Sequence, residues 1–206
     1  FFAQLTLLML FPYLERAGLP AVLFRLCGAV AFCTAVYAVS ERRAQWITAL
    51  ALAIPTGVMN VIFTLRPHSH VEVPTLAITI LFLGFTLVSL LRAVLRAPKV
   101  TSDTIYGAIS VYMLMAIVWG VAYFLLETLQ PGSLAIDRTR HPDQKLDWFD
   151  CVFYSFVTLT STGYGDMVPV TAPIRSLSIL EAVSGVMYMA VLVARLVGLY
   201  ARENLS

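Results

Sequence analysis

The sequence predicts an all-α integral membrane fold of six transmembrane helices, with a short re-entrant helix and an extended segment between helices five and six. Three observations predict it. Hydrophobic types make up 59% of the 206 residues and charged types only 13%, against the roughly 25% charged share of a soluble domain. The mean hydropathy is +0.82, and several apolar runs approach or exceed ~18 residues, the length that reads as membrane-spanning. Between the last two long runs lies a stretch too short and too rich in Thr, Ser and Gly to cross a bilayer alone. A soluble protein of this composition would lack the polar surface to stay dissolved.

The runs follow in order. The first covers 1–14 and is broken by Pro12. The chain opens Phe1-Phe2-Ala3-Gln4, without an initiator methionine, a basic region or a small-residue cleavage site. A signal peptide is therefore not expected, and a missing start would lengthen this run to a full span. The second run covers 17–40, the third 44–65, the fourth 73–95 and the fifth 104–128. A polar loop from Pro131 to Leu146 follows, then a short semi-polar helix, and the last long run covers 173–200.

Basic residues near span ends orient such a chain. Arg42, Arg43, Arg92, Arg96, Lys99 and Arg202 fall on one side. The basic residues of the other side share their loops with Glu15, Glu72, Asp137, Asp143, Asp147 and Asp150. The bias makes 41–43 and 96–103 cytoplasmic, puts 131–170 outside and leaves both termini inside. The expected location is the cell membrane, multi-pass.

The chemistry lies in 147–170. Asp147 can cap a helix, and Asp150 fits the acidic third position of a capping box. A helix from there to about Thr160 would be roughly 20 Å long, short of the ~30 Å bilayer core, so it enters and stops midway. Its carboxyl end carries partial negative charge, which attracts a cation. Beyond it, Gly163 and Gly165 can take positive φ at low cost. Alternating backbone conformations turn successive carbonyls toward one line. Four such strands would stack rings of oxygens able to replace the hydration shell of a potassium ion. One chain supplies one strand, so this reading implies a homotetramer.

The stretch Thr160-Ser161-Thr162-Gly163-Tyr164-Gly165-Asp166, with Pro169 nearby, resembles the filter signature of the tetrameric potassium channels, Thr-Thr-Val-Gly-Tyr-Gly-Asp followed by a proline. The resemblance covers roughly 101–200. It implies that the short helix is a pore helix and the stretch a selectivity filter. The carbonyls of Ser161, Thr162, Gly163 and Tyr164 would then coordinate K+, with the Ser161 hydroxyl completing the innermost site. Thr160, Gly165 and Asp166 would support the filter and its outer mouth. Tyr164 would wedge against pore-helix aromatics, here Phe153, Tyr154 and Phe156. The expected function is a potassium-selective channel that conducts K+ passively; the alternative is a weakly selective monovalent cation channel on the same scaffold. Two departures bear on that choice. Ser161 stands where the family has threonine and keeps the hydroxyl without the methyl. Thr162 stands where it has valine and adds a hydroxyl that needs a partner behind the filter.

In the last span, Gly185 lies twenty residues after Gly165. Family members often place a hinge glycine at this distance, and close helix packing is the alternative reason for it. Val186, Met189 and Val193 follow at helical spacing and are candidates to line a cavity. Glu181 is the one acid within this span. An ionisable residue in a membrane helix is a functional candidate; the favoured reading is a structural hydrogen-bonding residue able to reach the pore helix at Ser155 or Thr158.

Residues 1–100 are expected to form a four-helix domain that does not sense voltage, and 101–206 a pore domain. The fourth run carries no charge from Val73 up to Arg92. A sensor needs several arginines across the membrane, since each charge contributes only ~2.3 kcal/mol per 100 mV. Arg92 and Arg96 read as interface anchors, and Arg25 as a side chain snorkelling outward. His68 and His70, with Glu72, are of the types that sense protons or bind zinc, and the favoured reading is that they are exposed loop residues without such a role. Cys27 and Cys33 read as packing residues, and Cys151 stands alone on the loop side, with no disulfide framework.

The net charge is +2, with no basic tract, so no nucleic-acid partner is expected. The spans hold no nucleophile–base pair, so an enzyme is not expected, and no paired broken helices suggest a transporter. Membrane lipids and an unidentified gating ligand or partner complete the expected partners. No cofactor is implied beyond K+ as the permeant ion.

Overall fold

The computed structural model describes residues 2, 4–6, 8–10, 43–65, 69–136 and 146–203. The second run, Arg25, Cys27, Cys33 and His68 lie outside these, as does the side chain of His70. The described elements are α1 (Arg43–Leu65), α2 (Ser69–Arg96), α3 (Ser102–Leu129), β1 (Leu134–Ile136), α4 (Trp148–Leu159), β2 (Met167–Pro169) and α5 (Ala172–Glu203). They follow the third to sixth runs and the short helix closely, because long apolar runs satisfy their backbone only as helices in a membrane. Among the described residues, three helices are long and apolar enough to cross a bilayer: Val71–Arg96, Ser102–Leu129 and Ala172–Leu199. Ile47–Phe63 and Trp148–Leu159 are shorter apolar helices.

The chain divides into two compact units, Phe1–Leu114 and Met115–Ser206. In the first, α1 packs against α2. Buried residues of α2 recur at helical spacing, from Thr75 through Phe82, Leu83, Thr86 and Leu90 to Val94. Thr75 and Thr86 donate to the carbonyls four residues back, Val71 at 2.6 Å and Phe82 at 2.9 Å, which lets hydroxyls sit in an apolar interior. Arg92 and Arg96 lie at the end of α2. Residues 4–6 and 8–10 are helical, and the Phe2 ring lies 5.7 Å from that of Tyr106. Thr101 caps α3: the Thr104 N–H donates to the Thr101 hydroxyl at 3.3 Å, and the Thr104 hydroxyl donates to the Lys99 carbonyl at 3.2 Å.

In the second unit, the end of α3, the half-length α4 and the start of α5 enclose a core of Tyr123, Leu134, Cys151, Tyr154, Met167 and Ile174. β1 and β2 pair antiparallel, Leu134 with Pro169, Ala135 with Val168 and Ile136 with Met167. The Val170 N–H donates to the Ser133 carbonyl at 2.8 Å and continues the pairing by one residue. This small sheet ties the loop before α4 to the chain after the 160–166 segment, so both ends of that segment are anchored.

Candidate functional site

The site is built from the end of α4. The capping box expected of Asp147 and Asp150 is present. The Asp150 N–H donates to Asp147 at 2.8 Å and the Asp147 N–H donates to Asp150 at 3.0 Å. α4 is 12 residues long, about 18 Å at the usual rise. Its other end does not fray. The N–H groups of Thr160, Ser161 and Thr162 donate to the carbonyls of Phe156, Thr158 and Val157 at 3.0, 3.0 and 2.9 Å, and Gly163 reaches Val157 at 3.4 Å.

Those bonds fix where the carbonyls go. In a trans peptide, the N–H of one residue points opposite to the C=O of the residue before it, and none of the described peptides is cis. Because the N–H groups of 161, 162 and 163 face the end of α4, the carbonyls of Thr160, Ser161 and Thr162 are turned away from it. The backbone then alternates: Ser161, Gly163 and Gly165 have φ of 56°, 57° and 79°. Glycine takes this region freely, whereas serine does so at a cost, which the surrounding bonds hold in place. Residues 160–165 are all exposed in the single chain.

The hydroxyl of Thr162 finds a partner in Thr160, at 2.8 Å, and Thr160 donates in turn to the Phe156 carbonyl at 2.7 Å. Tyr164 stacks on Phe153, centroids 6.1 Å apart and planes 9° from parallel, yet remains 68% exposed. Tyr154, grouped with Phe153 in the sequence reading, faces elsewhere. It packs edge-on to Tyr123 at 5.0 Å and contacts Ser178 at 2.8 Å. Phe156 is half-buried. Asp166 accepts from the Met167 N–H at 3.0 Å, at the start of β2.

Behind α4 lies a buried polar cluster whose extent the sequence did not disclose. Glu181 is fully buried and accepts from the Tyr123 hydroxyl at 2.5 Å and contacts Ser155. Of the two partners expected of it on α4, Ser155 is the one it meets. Ser155 also lies 2.7 Å from the Ala116 carbonyl. Ser178 donates to the Ile174 carbonyl at 2.9 Å and receives Tyr154. These bonds join α3, α4 and α5. The sequence signal was Glu181, an acid in an apolar helix, with Ser155 among its expected partners; Tyr123, Tyr154 and Ser178 read as ordinary span residues.

Two glycines allow close approach to α4. A Cβ on Gly120 would lie 2.7 Å from the Val152 Cα, and one on Gly185 would lie 2.5 Å from the Leu159 carbonyl oxygen. Gly185 is therefore a packing glycine in the described structure, within an α5 that runs unbroken from Ala172 to Glu203. Val186, Met189 and Val193 are exposed at 58%, 45% and 52%; they share a face apart from the buried row of Ile174, Glu181 and Gly185. Glu127, unremarked in the sequence, accepts from the N–H groups of Gly132 at 2.7 Å and Leu134 at 3.0 Å and so sets the exit from α3. Cys151 is a buried free thiol, part of the core that also holds Tyr123 and Tyr154. Among the described residues no group of His, Cys, Asp and Glu is arranged to hold a metal ion.

Residues 108–202 match the family model described as an ion channel, just under half of the chain. No curated protein and no solved structure matches. The matched stretch takes in most of α3, all of α4 and the 160–166 segment, and nearly all of α5. The match to an ion-channel model and, among the described residues, three helices long and apolar enough to cross a bilayer point to a membrane protein, and passive ion conduction is the chemistry that such a domain supports.

Proposed function

We propose that this chain is one subunit of a homotetrameric potassium-selective channel in the cell membrane. In this reading α4 is the re-entrant pore helix and Thr160-Ser161-Thr162-Gly163-Tyr164-Gly165-Asp166 the filter. The carbonyls of Ser161, Thr162, Gly163 and Tyr164 coordinate K+, assisted by the Ser161 hydroxyl. Thr160, Gly165, Asp166 and Phe153 support them, and Tyr154 holds α4 from behind through Tyr123 and Ser178. The observation that carries the reading is the coupling of two features: N–H groups of 161–163 consumed by the end of α4, and φ alternating through 161, 163 and 165. Together they turn carbonyls to the side away from the helix, the arrangement that can replace an ion's water shell.

The tetramer follows from the same stretch. Polar backbone at membrane depth is tolerated only where protein or water meets it, and 160–165 lie open on a single chain. Residues 101–206 then form the pore domain, with Gly185 packed against the end of α4 and Val186, Met189 and Val193 lining the cavity. Residues 1–100 are a four-helix domain without a charged sensor, completing six spans with both termini cytoplasmic. Lipids surround the assembly, and a gating ligand or partner acts on it.

Purified protein in liposomes, with potassium and sodium gradients and barium as blocker, tests the function. Barium-sensitive flux with a reversal potential following the potassium gradient is expected. Equal permeability for the two ions would move the assignment to a weakly selective cation channel, the reading that Ser161 and Thr162 favour. No flux of either ion would refute both.

A further inference from the structure

The cluster behind α4 can be counted proton by proton. Ser178 gives its proton to the Ile174 carbonyl, so Tyr154 supplies the proton of their 2.8 Å contact. Tyr123 gives its proton to Glu181 Oε2 at 2.5 Å; its distance to Ser178 is 3.4 Å. Ser155 is the exception. Its single hydroxyl proton faces two oxygens, the Ala116 carbonyl at 2.7 Å and Glu181 Oε1. A carbonyl can only accept. With Glu181 ionised, three oxygens share one proton and one close contact has none. With Glu181 carrying a proton on Oε1, every contact has one.

The electrostatics agree with the count. Glu181 is 0% exposed. The groups that face it are Tyr123 from α3 and Ser155 from α4, with Tyr154 behind them through Ser178. None of these is basic. A buried carboxylate without a cation is far costlier than a neutral acid whose oxygens are all bonded.

We propose that Glu181 is a carboxylic acid in this protein, donating to Ser155, which donates to the Ala116 carbonyl, and that this neutral relay fastens α3 and α5 to the back of α4. Glu181 is thus a positioning residue for the segment that begins at Thr160, just over a turn beyond Ser155. Its effect on conduction rests on the channel reading; its protonation does not.

Infrared spectroscopy of the full chain in lipid vesicles at neutral pH, wild type against Glu181→Gln, reads the protonation directly. A carboxylic-acid C=O band in wild type that is missing from the variant is expected. Potassium flux from the same vesicles reads the positioning role. The amide of Glu181→Gln can donate to Ser155 and accept from Tyr123, so flux stays within about twofold of wild type, whereas Glu181→Leu strands both partners and loses about tenfold or more. The proposal is overturned if no acid band separates wild type from Glu181→Gln. It is also overturned if the Gln variant loses as much flux as the Leu variant, or if the Leu variant loses none. An intact band in a wild type without flux would refute the channel reading while supporting the protonated acid.

Discussion

Replacing Gly185 with alanine separates two tasks a glycine can have in α5. The new Cβ would sit 2.5 Å from the Leu159 carbonyl oxygen and 2.9 and 3.1 Å from the Leu159 side chain. The nearest atom belongs to backbone at the end of α4, so it cannot swing aside. Relieving the clash means moving α5 and α4 apart at the turn that precedes Thr160. Overpacking of this kind costs about 1–3 kcal/mol, set against a gain of about 1 kcal/mol from exchanging glycine for alanine inside a helix. The net expectation is a loss of up to about 2 kcal/mol. A Cβ on Gly198, on the same helix, would meet nothing within 4 Å, so Gly198→Ala should show only the gain. Thermal unfolding of the two detergent-solubilised variants beside wild type measures the difference. A glycine needed only for bending would give the opposite sign at 185, because alanine stiffens and stabilises a free helix. If Gly185→Ala unfolds at the same or a higher temperature than Gly198→Ala, the close-packing argument is wrong.

Three further outcomes follow from single bonds. Glu127→Ala leaves the Gly132 and Leu134 N–H groups without their acceptor and should cost about 1–3 kcal/mol in an unfolding assay; Glu127→Gln, which keeps one acceptor oxygen, should recover part of it. Asp147→Ala removes the capping box and should cost about 1 kcal/mol, with Asp147→Asn close to wild type; equal losses in the two variants would argue against the cap. Thr162→Val removes the 2.8 Å contact to Thr160 but leaves Thr160 bonded to Phe156. Its stability should change by no more than about 1 kcal/mol, and its potassium-to-sodium reversal potential, compared with wild type, reads whether the hydroxyl contributes to selectivity.

Features governed by local interactions were legible in the order of residues. Apolar run length located α1, α2, α3 and α5 to within a few residues, because a backbone out of water must bond to itself within the run. Asp147 and Asp150 located the start of α4, since a capping box closes over three residues. The glycines at 163 and 165 announced positive φ through their missing side chains. Features that depend on distant partners emerged only from the packing of the helices. Glu181 stood out as an acid in an apolar span within reach of Ser155 or Thr158, but which of the two it meets, and its bond to Tyr123 across 58 residues, were not legible. No spacing rule pairs them; the crossing of three helices does. Positive φ at Ser161 has no signature in its residue type and arises because the N–H groups of Ser161 and Thr162 are both drawn to the end of α4. The direction of Tyr154, toward Tyr123 rather than Tyr164, follows from which face of α4 meets α3. Gly185 was legible as a glycine in a helix, and only the Leu159 carbonyl beside it supplies the reason.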